Sequence, residues 1–138
     1  MKGPVITDTG PLVALLNRRE RHHDWAREQF TLIPPPAITC EAVLSEACFL
    51  LRDIEAGVDS VMKLLERGVV ATSFTLASEY PVIARLLHRY DSLPMSFADA
   101  CLVRMSEQHA SSTIITLDSD FRVYRKNGRQ VIPTSMPE

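Results

Sequence analysis

The chain has 138 residues, 46% of them hydrophobic and 23% charged, with a formal net charge of -2. That length fits one domain spanning residues 1–138 with a real core, and the near-neutral charge excludes a protein that grips nucleic acid by a basic surface alone. Three cysteines without a C-x-x-C pair and four histidines without zinc spacing point away from a disulfide framework and a zinc module.

Val5-Ile6-Thr7 reads as a short buried strand, stopped by Gly10 and Pro11. Pro11 suits the first turn of a helix that Thr9 or Gly10 caps. Asp8 falls at the carboxyl end of the strand, where open α/β sheets place their ligands. Taken alone, Asp8 is better explained as an acid that only complements the helix dipole. Leu12, Leu15 and Leu16 mark one side of the helix, and Arg18-Arg19-Glu20-Arg21 is its polar exit. A second helix from His22 to about Phe30 carries Trp25, Ala26 and Phe30. His22 and His23, being adjacent, cannot share a helix face and are expected in solvent. Pro34-Pro35-Pro36 breaks this helix, and Ala37-Ile38-Thr39 is a second strand.

Thr39 is placed to cap the next helix, Cys40 to about Ile54, which is apolar nearly all round and therefore expected to be largely buried. Gly57 separates it from an amphipathic helix with Val58, Val61, Met62 and Leu65, ended by Gly68. Val69 to Thr72 is a third strand. A long helix is predicted over 76–90, with Pro81 either in its first turn or splitting it. Leu93-Pro94 is a turn, and Phe97 to about Gln108 is another buried helix. Cys48 and Cys101 lie inside the apolar helical runs and read as small core residues in a reducing compartment. Thr113 to Leu117 is a fourth strand, and Val131-Ile132, closed by Pro133, a short last one. Apolar strands alternating with helices predict an α/β fold with a parallel sheet covered on both faces. With no signal peptide read ahead of the first strand and no apolar run of membrane-spanning length, the sequence predicts a soluble, cytoplasmic protein.

Four acids stand in unusual settings. Glu46 shares a helix face with Ala42, Val43 and Leu50, where a lone buried carboxylate is costly unless paired or metal-bound. A place at the helix edge, or an ion pair with Arg52, explains it otherwise. Asp99 completes a capping-box pattern, Ser96-Phe97-Ala98-Asp99, at the start of a buried helix. Asp118, in Thr116-Leu117-Asp118-Ser119-Asp120-Phe121, repeats the strand-end placement of Asp8, although an Asx-turn also fits. If Asp8, Glu46, Asp99 and Asp118 meet at one end of the sheet, their repulsion calls for a hard divalent cation, and carboxylates without His or Cys partners suit Mg²⁺ or Mn²⁺. The natural chemistry of such a cluster is hydrolysis of a phosphate ester.

These motifs, in their order and settings, resemble those of PIN-domain ribonucleases of the kind found in VapC-type toxins. The resemblance rests on Asp8 to Leu16, Val43-Leu44-Ser45-Glu46-Ala47, Leu93 to Ala100, and Thr116 to Phe121, and it runs over nearly the whole chain. It implies a three-layer α/β/α sandwich around a parallel sheet of about five strands. It also implies a metal-dependent endoribonuclease that leaves a 5′-phosphate and acts as the toxin of a toxin–antitoxin pair. Asp8, Glu46, Asp99 and Asp118 match the family's acidic quartet, Asp120 an additional metal-binding acid, and Thr9 a hydroxyl position near the metal. Relatives often have Ser or Asn where this chain has Gly10. The resemblance further implies a homodimer, silenced by an antitoxin whose tail enters the acidic site.

Phosphate contacts are expected from Arg18, Arg19 and Arg21 and from Arg122, Arg125, Lys126 and Arg129, unless these clusters are simply solvated faces. A second reading keeps the fold as a non-catalytic RNA- or protein-binding module with vestigial acids. A phosphoacceptor receiver domain fits less well: Asp8 has no acidic neighbour, and no Lys follows Val131-Ile132.

Overall fold

The structure, a computed structural model, describes residues 3–138. In chain order it consists of β1 (Val5–Thr7), α1 (Thr9–Leu16), α2 (His23–Leu32), β2 (Ala37–Thr39), α3 (Glu41–Leu50), α4 (Gly57–Glu66), β3 (Val70–Thr72), α5 (Leu76–Arg89), α6 (Phe97–Gln108), β4 (Thr113–Ile115), a 3-10 turn (Ser119–Arg122), β5 (Arg125–Lys126), β6 (Gln130–Val131) and β7 (Thr134–Ser135). Five strands form one parallel sheet in the order β3-β2-β1-β4-β7. The central register pairs Ile6 with Ile38 on one side and with Ile114 on the other.

The period-2 alternation of strand side chains explains the layers. Ile6 and Ile114 point into the larger core with residues of α1, α3, α5 and α6, including Leu12, Val43, Ile83 and Leu102. Their neighbours Val5 and Ile115 point the other way, into a smaller core with Ala37 and Ile33, against which Trp25 and Phe30 of α2 pack. Both faces are covered, so strands without polar alternation are stable only here, inside the three-layer α/β/α arrangement.

Four local expectations are corrected. Helix α3 buries only Val43, Leu44 and Ala47, and leaves Phe49 and Leu50 at the surface. An apolar sequence on every side does not bury a helix that has packing partners on one. Thr39 does not cap α3; Cys40 occupies that position, and the Thr39 hydroxyl donates instead to the Thr7 carbonyl at 2.7 Å. Pro81 neither opens nor splits α5, which runs through it. Pro81 and Ala77, whose carbonyl loses its usual partner, both face water, which lowers the penalty. The last strand of the main sheet is β7, not Val131-Ile132. Val131 pairs in the antiparallel β5–β6 hairpin, turned by Asn127 (φ 51°) and Gly128 (φ 81°). The chain joins the sheet only after Ile132, where the Pro133 carbonyl accepts the Ile114 N–H at 2.9 Å. Proline lacks a donor but serves at a sheet edge through its carbonyl.

His23 is half-buried rather than in open solvent, its Nδ1 lying 2.7 Å from the Ala14 carbonyl. Cys40 and Cys101 are buried, Cys48 half-buried, and all three are free thiols. Among the described residues no helix is long and apolar enough to cross a membrane.

Candidate active site

Parallel strands all present their carboxyl ends at one edge of the sheet, and the residues just beyond them share that edge. Asp8 follows β1 and Asp118 lies past β4, the two central neighbours in the sheet. Asp99 enters from the first turn of α6 and Glu46 from the middle of α3. The four converge on one open cleft of about 530 Å³, also lined by Thr9, Gly10, Leu50, Pro94, Ser96, Leu117 and Ser119. A larger groove of about 850 Å³ lies elsewhere, along α1 and α2, and includes Leu16, Arg18, His23 and Phe30. It holds none of the four acids, so the chemistry belongs to the smaller cleft.

Asp8 is held on both carboxylate oxygens. Its Oδ1 accepts the Thr9 backbone N–H at 2.7 Å, capping α1, and its Oδ2 accepts the Thr116 hydroxyl at 2.7 Å. Asp8 itself, rather than Thr9 or Gly10, therefore caps the helix. Asp99 forms the capping box foreseen with Ser96: the Asp99 N–H donates to Ser96 Oγ and the Ser96 N–H donates to Asp99 Oδ2. That structural role coexists with a place in the cleft lining, and Asp99 Oδ2 also accepts the Tyr124 hydroxyl at 3.2 Å. Asp118 makes the Asx-turn, accepting the Asp120 N–H at 2.9 Å, and its own N–H donates to Thr116 Oγ1. Thr116 thus ties Asp8 to the Asp118 turn.

Sequence reasoning missed Thr116 and Tyr124 as supports. Thr116 carried a weak signal, a buried hydroxyl two residues before a strand-end acid. Tyr124 carried none: it reaches Asp99 only because the 3-10 turn folds it back between Phe121 and Tyr90, with edge-on ring contacts at 5.3 and 5.2 Å.

Burial dominates the electrostatics. Asp8 and Asp99 are each only 8% exposed. Desolvation pushes the Asp8 carboxyl up to about 6, reinforced by the charges of Asp99 and Asp118 and opposed by the bonds from Thr116 and Thr9. Asp99 is raised for the same first reason, then by Asp118. Asp120 is raised chiefly by the charge of Asp118, but it is half-exposed and does not line the cleft.

Glu46 departs from its expected setting. It lines the cleft, yet its side chain is exposed and not held on a buried face. Without burial there is little repulsion to relieve, so Glu46→Gln is expected to leave the metal-free melt within about 0.5 kcal/mol of wild type. A loss well beyond that in a thermal melt would assign Glu46 to a structural ion pair. Among the described residues Glu46 makes no such pair; Arg52 pairs instead with Asp53.

The basic cluster after Asp118 also divides. Arg122 and Arg129 are exposed. Arg125 spends its Nη1 on the carbonyls of Arg122, Val123 and Tyr124. Lys126 is buried, with Nζ donating to the Ala110 carbonyl at 3.0 Å. Lys126→Gln is therefore expected to cost roughly 1–3 kcal/mol of stability, the range for an unsatisfied buried polar group, with RNA affinity unchanged. Denaturant unfolding beside an RNA-binding assay checks both halves. Arg18, Arg19 and Arg21 are exposed, beyond the far end of α1, roughly 12 Å from Asp8 at 1.5 Å per helical residue.

The donors in the cleft are all oxygen, and the Thr9 hydroxyl is buried without a hydrogen-bond partner among the described residues. This set fits a hard cation. Among the described residues no three acidic, His or Cys side chains stand close enough to enclose an ion by themselves. Mg²⁺ tolerates that, since it keeps several waters and takes only one or two direct carboxylates. Gly10 shapes the rim: a Cβ there would meet the Leu117 side chain at 3.0 Å, so any larger residue needs that side chain to move.

A mostly parallel α/β/α sandwich with strand-end acids around one open cleft is the architecture of a PIN domain. The PIN domain family model matches residues 5–127, and the chain belongs to that family. Among curated proteins none matches it. Among solved structures it is similar to VapC20 of Mycobacterium tuberculosis, a toxin that cleaves the sarcin–ricin loop. The TM-score is 0.76 at 24% identity, covering 86% of this chain and 93% of that one.

Proposed function

We propose that this protein is a Mg²⁺- or Mn²⁺-dependent endoribonuclease acting as the toxin of a toxin–antitoxin pair. The observation that supports the reading best is the convergence of Asp8, Glu46, Asp99 and Asp118, from four separate elements, on one cleft within a PIN fold. Asp8 and Asp99 would hold the cation, with Asp118 and Glu46 at its water shell and the Thr9 hydroxyl beside it. When bound, the cation supplies charge neutralisation for the phosphodiester and a more acidic water for in-line displacement.

The chain's own residues fix the geometry. Thr116 and the Thr9 N–H hold both oxygens of Asp8, and Ser96 and Tyr124 hold one oxygen of Asp99, whose other oxygen accepts no hydrogen bond among the described residues. Desolvation keeps these carboxylates hungry for a counter-charge, and a cation supplies it better than a proton does at neutral pH. Exposed Arg18, Arg19, Arg21, Arg122 and Arg129 are the candidates for phosphate contacts along the strand. Asp120, outside the cleft lining, is assigned no direct ligand position. The open cleft leaves room for an inhibitory antitoxin tail, and a cytoplasmic homodimer completes the proposal.

The acids' separation favours one competing reading, a PIN-fold module that binds RNA or protein without cutting it. The deciding experiment incubates purified protein with a defined RNA in Mg²⁺, in Mn²⁺ and in EDTA, and characterises the new ends. Fragments bearing 5′-phosphates only with metal support the nuclease. Binding without cleavage in either metal supports the module.

A further inference from the structure

Helix α3 carries Glu46 and Leu50 into the wall of the acidic cleft, and Phe49 lies beside them on the same helix. Residues three apart on a helix have Cβ atoms about 5–6 Å apart, so Phe49 neighbours Glu46 on the helix surface without itself lining the cleft. It is 61% exposed, which is unusual for a large aromatic on a helix that packs a core. The ring is not bare. The Arg52 guanidinium lies over it, 3.9 Å from the centroid, held there by an Nη1 bond of 2.7 Å to the Phe49 carbonyl. Among the described residues no other aromatic or cationic side chain stacks on the ring.

A contact with a second protein surface would have to desolvate this half-exposed guanidinium, whose acidic neighbour Asp53 sits 3.9 Å away and is itself 89% exposed. Such a pair is weak and readily exchanged for a phosphate. An aromatic ring with an arginine plane against it is what an unstacked nucleobase recognises, the base covering the ring and the cation answering the backbone. The acids of the cleft repel a phosphate chain, and the Arg52 charge, just past the end of the helix that carries Glu46, offsets that repulsion.

We infer that Phe49 and Arg52 form a stacking platform for one unpaired nucleobase, adjacent to the phosphate that the acidic cleft receives. This rests on the nuclease reading and specifies its substrate: RNA with a single-stranded nucleotide next to the cleavage point.

The test uses Asp99→Asn protein in Mg²⁺, so that RNA is bound but not consumed, titrated against a fluorescein-labelled oligouridylate, free or annealed to oligoadenylate. Adding Phe49→Ala is expected to weaken binding of the free strand about fivefold to a hundredfold, the span of one base–aromatic stack. Phe49→Trp retains binding, Arg52→Gln loses part of it, and the duplex binds more weakly than the free strand and ignores Phe49→Ala. The platform is overturned if Phe49→Ala binds the free strand within twofold of its parent, or if the duplex binds as tightly as the free strand. It is equally overturned if Phe49→Ala splits a dimer in sedimentation, since the ring then belongs to contact between two copies. Wild-type cleavage in the same buffer separates the two failures. RNA cut equally by wild type and Phe49→Ala removes the platform alone, and RNA neither bound nor cut by wild type removes the nuclease reading with it.

Discussion

Asp99→Asn is expected to lower RNA cleavage at least about a hundredfold while leaving the protein folded. Residues that merely support a metal ligand cost 10–100-fold when removed, and a carboxylate facing the cleft should cost no less. Asn keeps the shape of Asp99 but removes its charge. The fold tolerates this because two effects oppose each other. The capping box and the Tyr124 bond are weakened, a loss of about 1 kcal/mol for a helix cap. Against that, a buried carboxylate raised by desolvation and by Asp118 is no longer ionised there. A cleavage time course beside a thermal melt separates chemistry from stability. A folded variant with full activity removes Asp99 from the site and leaves it a helix cap.

The second large effect is on stability and has a definite sign with pH. In metal-free protein the Asp8 carboxyl titrates at about 6, against roughly 3.9 in an unfolded chain. Between those values the folded state holds a proton that the unfolded state has released. Stability from this group is therefore complete below the unfolded value and is lost as pH rises through the folded one. A shift of this size corresponds to on the order of 2–3 kcal/mol at pH 7. In EDTA the melting temperature should thus climb on acidification from pH 7 to 5, with Asp99 adding in the same direction. Asp8→Asn should reduce that climb and melt several degrees above wild type at pH 7, less about 1 kcal/mol for the poorer bond to Thr116. An unchanged pH slope with a lower melt would mean that Asp8 is ionised and well satisfied in the fold without metal.

How much of this was legible in the sequence follows from how local each signal is. The parallel sheet, with Asp8 and Asp118 past its two central strands, was readable because short β-branched runs ending in an acid carry their own geometry. The Ser96–Asp99 capping box was readable for the same reason, being fixed by a three-residue spacing. Glu46 was read as an acid on a buried face because α3 is apolar all round. Which side of such a helix meets the core depends on where α1, α4 and α6 pack, and no local pattern contains that. The burial of Lys126 and the reach of Tyr124 to Asp99 depend on the turn after Asp118, and the final strand was displaced by three residues because the β5–β6 hairpin claimed Val131. Contacts made across the fold, rather than along the chain, account for each of these misses.

On the proposed reading, these acids bind a divalent cation only in the folded state. A ligand that binds the folded state alone stabilises it by about 2.7 kcal/mol at a hundredfold excess over its dissociation constant. The measurement is one thermal melting series at neutral pH, on metal-stripped wild type and on the Asp8→Ala/Asp99→Ala double variant, with Mn²⁺ and Mg²⁺ raised to millimolar levels. The melting temperature of wild type should rise with either ion, and that of the double variant should not. A wild-type melt that ignores both ions, or an equal rise in the double variant, would contradict the metal site.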